Sequence, residues 1–222
     1  MDEYFDFFLT QWGQPEHATP VSEQTLHRFR GKLPDTLLGY WSHYGFAAYH
    51  HGLLWMVNPD DYEHALESWI GDTPIMEQDA YYVIARGAFG KLYLWGERTG
   101  YLYDIDPQTG VIYKNDRNHE ERFIRKGLQE TAMMYFWSVI KPDREDENDD
   151  DIQPMFDRAL KKLGPCTADE MYAFSPAPFL GGARRVENLE KVNVHIQLDL
   201  LAQFGYRELL DFEGMKRKAF GG

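Results

Sequence analysis

At 222 residues, with 43% hydrophobic and 15% aromatic side chains, the chain holds enough apolar material for a packed core, which excludes wholesale disorder. A formal net charge of −13 argues against a direct nucleic-acid binder, because such a protein needs a basic face to displace counterions. One cysteine, Cys166, excludes an intramolecular disulfide framework and fits a reducing compartment.

The first residues lack the basic start and apolar run of a secretory signal. No stretch approaches the ~20 apolar residues of a membrane span, so a soluble, cytoplasmic chain is expected. Tyr4, Phe5, Phe8, Leu9 and Trp12 share one helical face, and Gly13 is a natural stop. Ser22 can cap a second helix that turns Leu26 and Phe29 inward. Leu33-Pro34 leads into a third, with Leu37, Leu38, Trp41 and Tyr44 at helical spacing and Gly45 as its end. Residues 53–57 predict a short buried strand. Pro59, Asp60 and Asp61 then predict a helix through Trp69: proline suits its start and the acids suit the positive end of its dipole. Residues 81–85 predict another strand.

Residues 89–115 read as a β-meander of three short strands and two tight turns. Leu92, Leu94, Tyr101, Tyr103 and Ile105 alternate with their neighbours, the period of a strand with two unlike faces. Residues 97–100 make the first turn. In the second, Asp106 opens a type I turn, Pro107 fixes φ and Gly110 accepts a positive φ. Helical patterning returns over 119–140. The composition then changes: residues 143–151 hold seven acids and one arginine, the mark of a self-repelling, solvated linker.

Beyond it, residues 152–163 predict an amphipathic helix stopped by Gly164-Pro165. Thr167 and Glu170 have the spacing of a capping box leading a helix into residues 171–174. A final helix spans about 192–204, with Ile196, Leu200, Leu201 and Phe204 facing inward and Gly205 ending it. The expectation is an α+β fold: an antiparallel β-meander flanked by helices, with a smaller, mainly helical C-terminal domain. Its parts are a domain at 1–142, an acidic linker at 143–151 and a domain at 152–222. The last, at about seventy residues, is too small to bury much core alone and should pack on the first.

No pattern specifies chemistry. His50 and His51, adjacent on an extended segment, point apart and do not make a metal site, and paired cysteines are absent. Counting a calcium loop from Asp104 puts Thr109 where glycine is required and Asn115 where a carboxylate is required, so the hairpin explains these residues better. Cys166 has one histidine in its domain, His195, and no local nucleophile signature. No metal or cofactor is therefore expected. The acidic run remains as a contact for a cationic partner, with Glu145, Asp146, Glu147, Asp149 and Asp150 as candidates on charge alone.

Two stretches resemble known domains. Residues 33–62 (LPDTLLGYWSHYGFAAYHHGLLWMVNPDDY) with the meander at 89–115 resemble the GAD-like domain. Residues 156–204 resemble the small domain that follows it in immunity proteins of bacterial type VI secretion systems. The matching features are Leu163-Gly164, residues 169–172 (Asp-Glu-Met-Tyr), Leu180-Gly181-Gly182, Asn188-Leu189 and the helix holding His195. The resemblance implies a non-enzymatic antitoxin that binds and blocks a cognate effector, often a DNase. An acidic inhibitor suits a nuclease, whose DNA cleft must be basic. The alternatives are an enzyme or ligand sensor with a pocket between helices and meander, which requires converging titratable groups, and a direct DNA regulator, which the charge disfavours.

Overall fold

The computed structural model describes residues 2–115, 119–205 and 207–211. Helices are α1 (Glu3–Trp12), α2 (Glu23–Phe29), α3 (Asp35–Tyr44), α4 (Glu63–Ile70), α5 (Pro74–Gln78), α6 (His119–Arg122), α7 (Gln129–Val139), α8 (Pro142–Glu145), α9 (Phe156–Leu163) and α10 (Val194–Gln203). Strands are β1 (Glu16–Thr19), β2 (Phe46–Tyr49), β3 (Leu54–Met56), β4 (Tyr81–Gly87), β5 (Leu92–Gly96), β6 (Gly100–Asp106), β7 (Val111–Lys114), β8 (Glu170–Phe174), β9 (Leu189–Asn193) and β10 (Glu208–Leu210). Strands β1 to β7 lie side by side in chain order, each antiparallel to the next, and β10 closes the far edge parallel to β7. Strands β8 and β9 form a separate antiparallel pair. This is the expected α+β class, with the meander β5–β6–β7 in the half of the sheet that β10 edges.

Helix starts follow from capping. The Asp2 carboxylate accepts from the Tyr4 and Phe5 amides at the head of α1, and Ser22 Oγ accepts from Thr25 N at the head of α2. Pro34, before α3, has no capping side chain. Glu130 of α7 substitutes for one, accepting from the Asp35 and Thr36 amides at 3.1 and 2.7 Å. Gly45 ends α3 with φ 75°, and a Cβ there would sit 2.5 Å from the Thr19 carbonyl oxygen, so the close passage of β1 requires glycine.

The sheet is buried on both faces. On one, α1, α3 and α7 contribute Phe5, Phe8, Trp12, Trp41 and Trp137 to an aromatic core, with the Phe5 and Tyr40 rings stacked at 3.9 Å. On the other, α4 and α10 contribute Trp69, Ile70, Leu198 and Leu201. Alternation assigns each strand's residues: in β5, Tyr93 and Trp95 enter the first core, Leu92 and Leu94 the second. Two indoles pin the chain's ends to its middle, Trp12 Nε1 donating to the Ile140 carbonyl and Trp69 Nε1 to the Leu198 carbonyl, both at 3.1 Å.

Residues 155–202 supply side chains to both cores: Phe156, Tyr172, Phe174 and Leu189 to the first, Met171, Ala173, Leu198 and Leu201 to the second. Several predicted details differ: the helix expected from residue 152 begins at Phe156, and residues 59–62 are a 3₁₀ turn ahead of α4. Residues 171–174 are strand β8, not helix. Glu170 does return to the Thr167 amide at 2.9 Å, as in a capping box, but the chain then runs extended, with alternate side chains entering opposite cores. In α10 the inward face is Val194, Leu198, Leu201 and Ala202; Ile196, Leu200 and Phe204 face outward at 70%, 45% and 52% exposure. The helix is apolar on nearly every side, so periodicity alone did not fix its rotation.

Candidate functional site

The acidic segment is ordered against the body of the protein. Residues 142–145 form α8, and an isolated bridge pairs Asn148 with Pro154. Each candidate carboxylate has a defined place. Glu145 accepts from Tyr93 Oη and lies 3.2 Å from Lys91 Nζ. Asp146 accepts from the Met155 and Phe156 amides at 3.2 and 2.8 Å, capping α9 from a distance. Glu147 pairs with Arg184 at 3.0 Å and Asp149 with Arg158 at 2.7 Å. Asp150 lies 3.9 Å from Arg185 and keeps 46% of its side chain exposed. The expected linker is thus a strap. Cations at positions 91, 158, 184 and 185 face four of its acids, Asp146 is held by backbone amides, and only Asp150 of the candidates remains widely open to solvent.

Lys91 is the inner anchor. It lies 3.9 Å from Asp104 as well as 3.2 Å from Glu145, in a cavity of about 140 Å³ shared with Tyr93 and Tyr101. Burial opposes its charge, but Asp104 and Glu145 together outweigh that cost and raise its pKa above the ordinary lysine range. Burial, then the same two carboxylates, pushes the Tyr93 and Tyr101 hydroxyls well up, so both stay protonated; Tyr101 donates to Asp104 at 2.8 Å. Every proton in this cluster is held tightly, which suits fastening a segment better than moving protons. At the outer end, burial pushes Glu147 up to about 7, with Asp106 adding to the effect and Arg184 and Lys91 opposing it. Burial likewise raises Asp146. Asp149 is lowered, first by the Gln153 amide and also by Arg158.

Sequence reasoning missed three residues that hold the fold, two of them across its parts. Gln108, in the second hairpin turn, is fully buried. Its Nε2 donates to the Phe89 and Tyr172 carbonyls at 3.1 and 3.2 Å, and its Oε1 accepts from Phe174 N. Arg86 is also fully buried: Nη2 donates to the Thr167 and Ala168 carbonyls, and the guanidinium lies 4.8 Å from the Trp55 ring centre. Asp79 accepts from the Arg98 and Thr99 amides, both at 2.8 Å, and so shapes the first hairpin turn. A turn glutamine, a strand arginine and an aspartate before a strand carry no signal of burial in sequence.

The other features weighed from sequence take structural places. His50 and His51 adopt left-handed backbone in a single 3₁₀ turn, and His51 faces Glu16 at 3.4 Å. Among the described residues, no three His, Cys, Asp or Glu side chains are grouped to hold a metal. Burial pushes the Cys166 thiol up to about 11, away from nucleophilic thiolate. The second turn is as expected: Asp106 Oδ1 accepts from Gln108 N at 3.0 Å, and Gly110 has φ 70°. A second concavity, about 290 Å³, opens between β3 and the start of α10 and is walled by Trp55 and Tyr62. No helix of the described residues is long and apolar enough to cross a membrane.

Comparison with known proteins follows the two-part reading. The family model of the GAD-like domain matches residues 3–108, and that of the T6SS immunity protein Tdi1, C-terminal, matches residues 131–205. No curated protein matches the sequence significantly. The crystal structure of Atu4351 from Agrobacterium tumefaciens is similar with a TM-score of 0.82 at 23% identity, over 94% of this chain and 92% of that one, a likeness of fold.

Proposed function

We propose that this chain, which carries a GAD-like domain followed by a Tdi1-type C-terminal domain of type VI secretion immunity proteins, neutralises a DNase effector by covering its active site or DNA groove. The charge balance carries the nuclease part of this reading. A net charge of −13 and a pI near 5.0 make the chain a natural counterpart of a cleft built to hold phosphates. Such complementarity speeds encounter and penalises wrong partners, while affinity comes from a desolvated core of aromatic and aliphatic anchors. Protection throughout growth requires an interface of standard size or larger, about 1,600 Å² or more in total.

Glu145, Asp146, Glu147 and Asp149 are held within the chain, so of the five candidates the proposal keeps Asp150, which is 46% exposed beside Arg185, as a charged contact for the partner. The test is co-expression with the cognate effector, purification of the complex and a DNA-cleavage assay. The expected outcome is a stable complex that does not cut DNA, from an effector that cuts when alone. A complex that still cuts would overturn occlusion, and an effector that never cuts DNA would overturn the DNase assignment.

A further inference from the structure

Among the described residues, the outer side of α10 carries the most conspicuous uncovered apolar surface. Ile196, Leu200 and Phe204 recur every four residues and stand in one ridge, 70%, 45% and 52% exposed. The Phe204 ring lies 6.0 Å edge-on from Phe179, and the next residue, Leu180, is 46% exposed, so the ridge broadens at its C-terminal end. On so acidic a molecule, grouped exposed apolar side chains mark a contact surface.

A pocket opens at the N-terminal end of the same helix. His195, one residue before Ile196, lies at the mouth of the cavity of about 290 Å³, its ring 5.0 Å from that of Tyr62. Trp55 and Tyr62 wall this cavity, and Asn58, Asp61 and Asp169 line it. Asp61 and Asp169 are exposed, and no lysine or arginine is among its described lining residues. Arg86 lies behind the Trp55 ring, with Nη1 and Nη2 turned to the Gly87, Thr167 and Ala168 carbonyls and its charge felt at Tyr62, so the acids at the rim rather than the floor are what would attract a cation.

We infer that this face is where the basic effector docks: an apolar patch of the effector covers Ile196, Leu200 and Phe204, and one of its lysines or arginines enters the pocket between Asp61 and Asp169. The inference rests on the immunity reading and names the surface that serves it. The arrangement is that of a tight interface, an apolar core with an aromatic anchor beside a charged rim. A second copy of this chain fits less well. It would bring a like charge of −13, and the exposed residues of its own ridge, Ile196, Leu200 and Phe204, offer no cation to the pocket.

The test is titration calorimetry of the full chain against an inactivated form of the cognate effector. Leu200→Glu with Phe204→Glu should weaken binding by about 100-fold, the scale of lost hot-spot contacts. Asp61→Asn with Asp169→Asn should weaken it by about tenfold and reduce its dependence on salt. All four side chains are exposed, so the thermal midpoint of each variant should match the unaltered chain. Binding by the unaltered chain that both variants retain within a factor of about two sinks the surface and leaves the immunity reading standing. No binding by the unaltered chain sinks the immunity reading, and this inference with it. Self-association that Leu200→Glu abolishes, with effector affinity intact, assigns the ridge to a second copy and overturns the proposal.

Discussion

Glu147 shows how a single residue can report on the strap that holds residues 145–150. Burial raises its pKa from 4.5 to about 7, so between those values the folded chain keeps a proton that the unfolded chain releases. Folding stability from this group therefore falls as pH rises through that window, because the folded state binds more protons there. Groups facing it include Asp106, Asp146, Lys91 and Arg184, of which the cations soften the effect. Glu147→Gln removes the titration. Thermal melts at pH 5 and pH 8 should show a flatter pH dependence in the variant, and an unchanged slope would mean that Glu147 is not the titrating group. The same carboxylate loses its 3.0 Å contact with Arg184 in the variant, so the comparison is of slopes, not of absolute midpoints.

At the scale of elements, α10 combines two roles. Its inner face closes the second core, and its outer ridge is free. Its seating depends on α4, where Trp69 is fully buried and donates to the Leu198 carbonyl. Trp69→Ala should cost about 3–5 kcal/mol, the usual range for emptying a buried aromatic site, measured by urea denaturation. Because the lost volume lies under α10, effector binding should weaken in the same variant beyond the loss expected from unfolded chain alone. Strand β8 teaches a related lesson. Met171 and Ala173 enter one core and Tyr172 and Phe174 the other, so all four are buried and no polar alternation marks the strand. A capping-box spacing at Thr167 and Glu170 is fully consistent with the turn that precedes it, which is why local pattern pointed to helix.

The whole molecule is held by contacts that run across the two family matches. Gln108 clamps β8 to the meander, Arg86 holds the carbonyls of 167–168, and Tyr172 N donates to the Ala88 carbonyl at 2.9 Å. Strand β10 lengthens the main sheet beside β7. Removing residues 143–222 would strip side chains from both cores at once, uncover apolar surface on both faces of the sheet and remove the carbonyls that Gln108 and Arg86 bind. The fragment 1–142 should therefore lack a cooperative thermal transition, and a sharp melt near that of the full chain would show that its core suffices alone.

Composition and local pattern determined the class of this protein, the meander with its Asp106–Gly110 turn, most helix ends and the order of its two family segments. These depend on neighbours in sequence: turn residues, caps and alternating polarity act within a few positions. Only the tertiary structure decided that the acids of 145–150 fold back onto Lys91, Arg158, Arg184 and Arg185, that α10 turns Ile196, Leu200 and Phe204 outward, and that Gln108 and Arg86 are buried. The physical reason is that charge and hydrophobicity in a sequence state what a side chain prefers. Which partner satisfies that preference is chosen by residues tens of positions away, brought alongside only when the sheet is covered on both faces.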